Sequence, residues 1–97
     1  MEIRFAHREL ESRFVSVAEG TRAWGEVVAR AYRKRLTLLS VLESSLELRQ
    51  HRGLRLHALK GEFSGKHAID LAGRWRLIVS IQGDTLTVEE VSNHYGD

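Results

Sequence analysis

The sequence predicts a single α+β domain: two N-terminal helices packed on one face of a twisted antiparallel sheet, in the order β-α-α-β-β-β. Three observations predict it. Apolar residues recur at helical spacing through the first half of the chain and alternate with period two through the second, and the change falls at Gly53. A length of 97 residues with 42% hydrophobic and 29% charged content supports one core, so residues 1–97 are read as one domain without linker or repeat.

Residues 2–6 read as a short strand with Ile3 and Phe5 on one face. From His7, Leu10, Phe14, Val17 and Ala18 recur at helical spacing, Glu9, Glu11, Ser12 and Arg13 fill the other side, and Gly20 marks a stop. A second helix is expected to start between Thr21 and Gly25 and to reach Glu47, with Trp24, Val27, Val28, Ala31, Leu38, Leu39 and Leu42 as its apolar stripe. Proline is absent, so nothing in the sequence kinks these helices.

After Gly53, Leu54, Leu56 and Ala58 alternate with Arg55, His57 and Leu59. A glycine-punctuated loop, Gly61 to Gly65, follows. Residues 66–71 and 74–81 read as strands joined by a tight Ala72-Gly73 turn, and Gln82-Gly83-Asp84 turns into a last strand, Thr85 to Val91. Hairpin-connected strands pair antiparallel, and the sheet face that the helices leave uncovered is open to solvent or ligand. Trp75, Leu77 and Val79 are expected in the core with Phe14, Val28 and Leu42. Arg74 and Arg76 then point to the open face.

No cysteine is present, which excludes disulfides, thiolate metal sites and thiol nucleophiles and fits a cytoplasmic protein. No apolar run approaches a membrane span, and Met1-Glu2-Ile3-Arg4-Phe5 lacks the layout of a signal peptide. The net charge is only +2, but all basic residues except Lys34, Lys60 and Lys66 are arginine. Arg49, Arg52, Arg55, Lys60 and Lys66 face a single acid, Glu62, in the middle of the chain, whereas nothing from Ser80 onward is Lys or Arg. Forked, permanently charged donors suit phosphate, so the basic centre fits a polyanion partner; a solvated face with extended arginines has the same composition.

Two spacings point to chemistry. His57-Ala58-Leu59-Lys60 sets an imidazole and an ammonium just before the glycine loop, and His94-Tyr95 sets a second imidazole after the last strand. An RNA phosphodiester can be cut by its own 2′-hydroxyl if a base, an acid and positive charge are at hand, and histidine serves as either acid or base. No metal or cofactor is called for. Strand parity sets one condition. If Leu86 and Val88 face the helices, strict alternation sends Glu90, Ser92 and His94 the same way, away from Arg76. A bulge, or departure of the chain from the sheet after Val91, is what would bring His94 to the open face.

Leu56-His57-Ala58-Leu59-Lys60-Gly61, Trp75-Arg76-Leu77-Ile78 and the ending Val88-Glu89-Glu90-Val91-Ser92-Asn93-His94 resemble the RelE/ParE superfamily of type II toxins, most closely the HigB-like, plasmid-maintenance branch. The likeness covers the whole chain. It implies a ribosome-dependent mRNA endonuclease that cuts in the ribosomal A site and is held in check by a helix-turn-helix, HigA-like antitoxin, with no membrane involved. It implies that His57, Lys60, Arg76 and His94 form the active site, with Lys60 and Arg76 on the phosphate and the two histidines sharing acid and base. Arg49, Arg52, Arg55, Lys66 and Arg74 would grip RNA, and Tyr95 is the nearest aromatic on which a base could stack. The family ending commonly carries Asp-Tyr before the histidine, where this chain has Ser92-Asn93. The same fold also carries ParE-like gyrase inhibitors, and a toxin that has lost activity would persist as an antitoxin-binding module. The set His57, Lys60 and Arg76 argues for RNA cleavage over the gyrase reading.

Overall fold

The computed structural model describes residues 1–93. The chain opens with β1 (Glu2–Phe5) and continues through α1 (Arg8–Val15), α2 (Val17–Trp24), α3 (Glu26–Val41) and α4 (Ser45–Gln50). It then forms β2 (His57–Ala58), β3 (His67–Asp70), β4 (Arg76–Gln82) and β5 (Thr85–Ser92), with single turns of 3-10 helix at Arg52–Leu54 and Gly61–Phe63. The strands make one five-stranded sheet in the order β1-β5-β4-β3-β2. From β2 to β5 it is antiparallel, as the hairpin turns require, but β1 lies parallel to β5, with Ile3 opposite Leu86 and Phe5 opposite Val88. The sheet is therefore mixed where the sequence predicts an antiparallel one. Between β1 and the hairpins the chain passes through the whole helical layer, and a strand reached by such a crossover is free to pair parallel.

The two expected helices are four, and serine is the reason in both halves. Ser16 adopts an extended backbone and its hydroxyl accepts the Glu19 N–H at 3.2 Å, so it ends α1 and caps α2. Ser44 does the same for α4, accepting the Glu47 N–H at 3.2 Å, which stops α3 at Val41 rather than Glu47. A hydroxyl that satisfies an orphan N–H makes a new helix start competitive with continuing the old helix. Gly20 is not the stop. It is buried inside α2, where a Cβ would come within 2.9 Å of the Arg13 carbonyl oxygen and 3.3 Å of the Ala29 Cβ, and so it permits close packing on α1 and α3. The turn between α2 and α3 falls at Gly25, whose φ of 85° favours glycine.

The core lies between the helices and the inner face of the sheet. Leu10, Tyr32, Leu36, Leu39, Leu42, Leu48, Leu54, Ile69, Leu77, Val79, Leu86 and Val88 are buried in one cluster. Val28, Leu42, Leu77 and Val79 are buried as expected. Phe14 and Trp75 are only half-buried, and Val27 points outward at 68% exposure. The large aromatic of the core is Tyr32, which Trp24 meets edge-on at 4.8 Å and whose hydroxyl donates to the Leu10 carbonyl at 2.6 Å. Burial pushes that phenol far above its ordinary pKa, so it stays a neutral donor. Trp75 fails to reach the core because it sits in the turn ahead of β4, where its N–H donates to the Ala72 carbonyl at 2.9 Å.

Two irregularities shape the other face. The alternating stretch 54–59 supplies a strand, β2, that the expected order lacks, and it pairs for only two residues, because Arg55 turns left-handed at φ 53° and Leu54 goes into the core. Along β4 and β5 the register shifts between Ile78 and Val79: Val79 is opposite Val88, but Ile78 is opposite Glu90, so Glu89 is an extra residue. A bulge is one of the two ways round strict alternation that the sequence leaves open. It keeps Leu86, Val88 and Val91 opposite Ile81, Val79 and Leu77 and moves Glu90 and Ser92 to the Arg76 face.

Candidate functional site

The outer face of the sheet is read directly from the register. His57 is opposite Ala68, Ala68 is opposite Ile78, and Ile78 is opposite Glu90; one row along, Asp70 is opposite Arg76 and Arg76 is opposite Ser92. Ala68 and Ile78 are buried there beside the buried Ser92, so the charged groups stand around a small sheltered patch that is apolar at Ala68 and Ile78. Two of the expected active-site residues, His57 and Arg76, thus share one face, on strands that β3 separates.

A chain of contacts links them. The His57 Nδ1 lies 3.0 Å from the Arg55 carbonyl oxygen. Arg55, left-handed, brings its Nε to 3.0 Å from Asp70 Oδ2. The other Asp70 oxygen, Oδ1, lies 2.8 Å from Arg76 Nε. Arg76 Nη1 donates to the carbonyls of Gly73 at 2.9 Å and Trp75 at 3.1 Å. Asp70 is itself held from the helical side, where Arg35 Nε of α3 donates to its carbonyl oxygen at 3.1 Å. Arg76 is 15% exposed, Asp70 26% and Arg55 76%, so the network runs from a sheltered guanidinium out to a solvated one. The Arg76 Nε is buried and its contact with Asp70 is not aligned as a hydrogen bond, so that pair is held by charge.

Asp70 escapes a reading of the sequence, because alternation along residues 66–71 puts it on the open face but gives no hint of its partners. A carboxylate one strand away from an arginine, just across a tight turn, is the signal available in hindsight. Arg55, expected to grip RNA, is the solvated end of this outer-face network, 76% exposed and paired with Asp70.

The remaining expected residues divide. Lys60 is exposed beyond β2 and makes no ion pair among the described residues. Lys66 is half-buried and lies 3.9 Å from the bulge carboxylate of Glu89, which also accepts from the Ser80 hydroxyl at 2.7 Å. Arg52 and Arg74 are exposed in turns. Arg49 stands at the end of α4, within electrostatic reach of His67. His94 and Tyr95 lie outside the described residues. His67 was not singled out by the sequence. It pairs with Val79 on the helix-facing side, its Nδ1 is buried without a hydrogen-bond partner, and its pKa is lowered by burial first, then by Arg49 and His57. Among the described residues no three His, Asp or Glu side chains converge to hold a metal ion, and no helix is long and apolar enough to cross a membrane.

No family model matches the sequence, and no curated protein matches it. Solved structures do. YafQ from E. coli strain BL21(DE3) superposes with a TM-score of 0.64 at 17% identity, over 96% of this chain and 92% of that one. A point variant of YafQ from E. coli gives 0.64 at 16% identity over the same shares. The YoeB–YefM complex from Staphylococcus aureus gives 0.60 at 12% identity over 98% of both chains. Helices on one face, a five-stranded sheet with β1 parallel to β5, and the match over nearly the full length together give this chain the RelE-like α+β fold that YafQ and YoeB share.

Proposed function

We propose that the chain is the toxin of a type II toxin–antitoxin pair, an endoribonuclease that cuts mRNA in the ribosomal A site and so stops translation in the cytoplasm. YafQ and YoeB, whose fold it shares, are endoribonuclease toxins. The observation that carries the reading to this chain is the contact network that ties His57 to Arg76, two residues the sequence resemblance names independently. The spacing of the His-x-x-Lys and Trp-Arg motifs favours a HigB-like toxin within the superfamily, and a helix-turn-helix antitoxin as partner. The YoeB–YefM complex supports an antitoxin partner of some kind.

The chemistry follows from the groups. A carbonyl oxygen only accepts, so the His57 Nδ1 facing Arg55 carries the proton of the neutral ring, and Nε2 holds the lone pair. Nε2 takes the proton of the RNA 2′-hydroxyl. The 2′-oxygen forms a bond to phosphorus, and the bond from phosphorus to the 5′-oxygen breaks. The 5′-oxygen is protonated by an acid, for which we propose His94; the products are a 2′,3′-cyclic phosphate and a 5′-hydroxyl. Arg76, with Lys60, balances the charge that builds on the phosphorane. The bulge at Glu89 puts Glu90 and Ser92 on the Arg76 face, which supports a role for a histidine that follows them.

The test is single-turnover cleavage of mRNA on programmed ribosomes, with gyrase supercoiling assayed beside it. Cleavage by the wild-type chain that falls about a hundred- to a thousandfold in Arg76→Ala supports the proposal. Inhibition of supercoiling without RNA cleavage, or cleavage unchanged in folded Arg76→Ala and Lys60→Ala, overturns it.

A further inference from the structure

Each oxygen of the Asp70 carboxylate receives one guanidinium, Arg55 on Oδ2 and Arg76 on Oδ1, both through Nε. Arg76 is also gripped at Nη1 by two backbone carbonyls, those of Gly73 and Trp75. Asp70 does not float: Arg35 anchors its carbonyl to α3. Arg55 holds a left-handed backbone that a non-glycine residue keeps only where its surroundings insist, and the contact its side chain makes from there is with Asp70. A site built for anion affinity alone would leave both arginines unpaired, since a carboxylate beside them lowers the positive potential that a phosphate meets.

We propose that Asp70 is the positioning residue of this site: it holds Arg55 and Arg76 in one orientation towards an RNA phosphate and, in doing so, weakens their attraction for it. The inference rests on the phosphate-binding reading of Arg76 given above. It predicts a split between binding and rate that a purely structural acid would not produce, because a structural acid affects both through the folded fraction.

The probe for binding is a single-stranded 2′-O-methyl oligonucleotide, which cannot be cut, and the protein is the full chain. Asp70→Asn keeps the shape and removes the charge. It is expected to bind this probe about two- to fivefold more tightly, with a salt dependence steeper by about one phosphate contact. Cleavage of mRNA on programmed ribosomes is expected to slow by about ten- to a hundredfold as the guanidinium loses its aim. Asp70→Glu restores part of the rate. Independently, the sheltered Arg76 Nε–H is expected to give a slowly exchanging NMR signal in the wild-type chain and a rapidly exchanging one in Asp70→Ala. Weaker or unchanged binding by Asp70→Asn overturns the proposal, and so does a wild-type cleavage rate. If the wild-type chain cuts no mRNA, the functional reading fails, and the binding and exchange measurements still decide this inference: tighter binding with a lost Arg76 signal supports it, and unchanged values overturn it.

Discussion

The two faces of the sheet are made from the same strands and governed by different physics. On the inner face Leu77, Val79, Leu86 and Val88 are fully buried in one cluster with residues of α3, and the buried Tyr32 hydroxyl has the Leu10 carbonyl as its acceptor. On the outer face the intervening residues are Arg76, Asp70 and His57, held by charge contacts and backbone carbonyls around a small sheltered patch. The inner face is held by area removed from water, which is non-directional and tolerates shifts in shape. The outer face is held by orientation. Its parts include a left-handed arginine and a buried guanidinium nitrogen without an aligned partner, features that add no stability and that persist where a site must be held in place. The comparison teaches where to look for each kind of consequence: stability should respond to the inner face and anion chemistry to the outer one.

The largest effect should come from Tyr32→Ala, which empties the centre of the aromatic cluster at a cost of about 3–5 kcal/mol, measured as a lowered midpoint in urea denaturation. On the proposed function, Arg76→Ala should remove about 2.7–4 kcal/mol of transition-state stabilisation in mRNA cleavage on ribosomes while the urea midpoint moves far less. A midpoint that fell as far as Tyr32→Ala would erase the distinction between the faces. Tyr32→Phe isolates a single bond, from the hydroxyl to the Leu10 carbonyl, for about 0.5–1.5 kcal/mol of stability and no direct effect on the site.

His67 sharpens the comparison, because it is an ionisable group on the inner face. Its folded pKa lies below the ordinary 6.5, so in the window beneath that value the unfolded chain binds a proton that the folded chain refuses. Stability should therefore fall as pH drops from about 7 to about 5, and His67→Gln should flatten that slope. An identical slope in the variant would show that another group sets it. The smallest effect is expected at Arg55→Gly. Relief of the left-handed backbone offsets the entropy of the added glycine, so stability should change by less than about 1 kcal/mol, although the Asp70 contact is lost. A large loss there would mean that the outer network stabilises the fold.

The candidate site is legible in part as residue types. His57 and Arg76 stand in recognisable motifs and share one face of the sheet, whereas Lys60 stands outside their contact network; of the two ways round strict alternation, a bulge or departure after Val91, the register contains a bulge at Glu89. Asp70 was not legible, because a residue on the correct face of a strand does not declare which neighbours its side chain will meet. The helix break at Ser16 had a local signal, a serine followed three residues on by Glu19, but the apolar spacing across it reads as one continuous helix. Trp75 stands one residue ahead of β4, where alternation no longer sorts side chains between the two faces.

The periodicities alone give the coarse order, a strand, then helices, then strands, together with the inner-face set Leu77, Val79, Leu86 and Val88 and the side of the sheet on which Arg76 stands. These are consequences of local geometry, since a period of two or 3.6 residues is enough to sort side chains between water and core. Only the tertiary structure decided that β1 lies parallel beside β5, that Asp70 gathers Arg55 and Arg76, and that Arg35 reaches from α3 to hold Asp70. Such pairings are made between residues far apart in the chain. They depend on which strands become neighbours and in what register, and no local pattern carries that information.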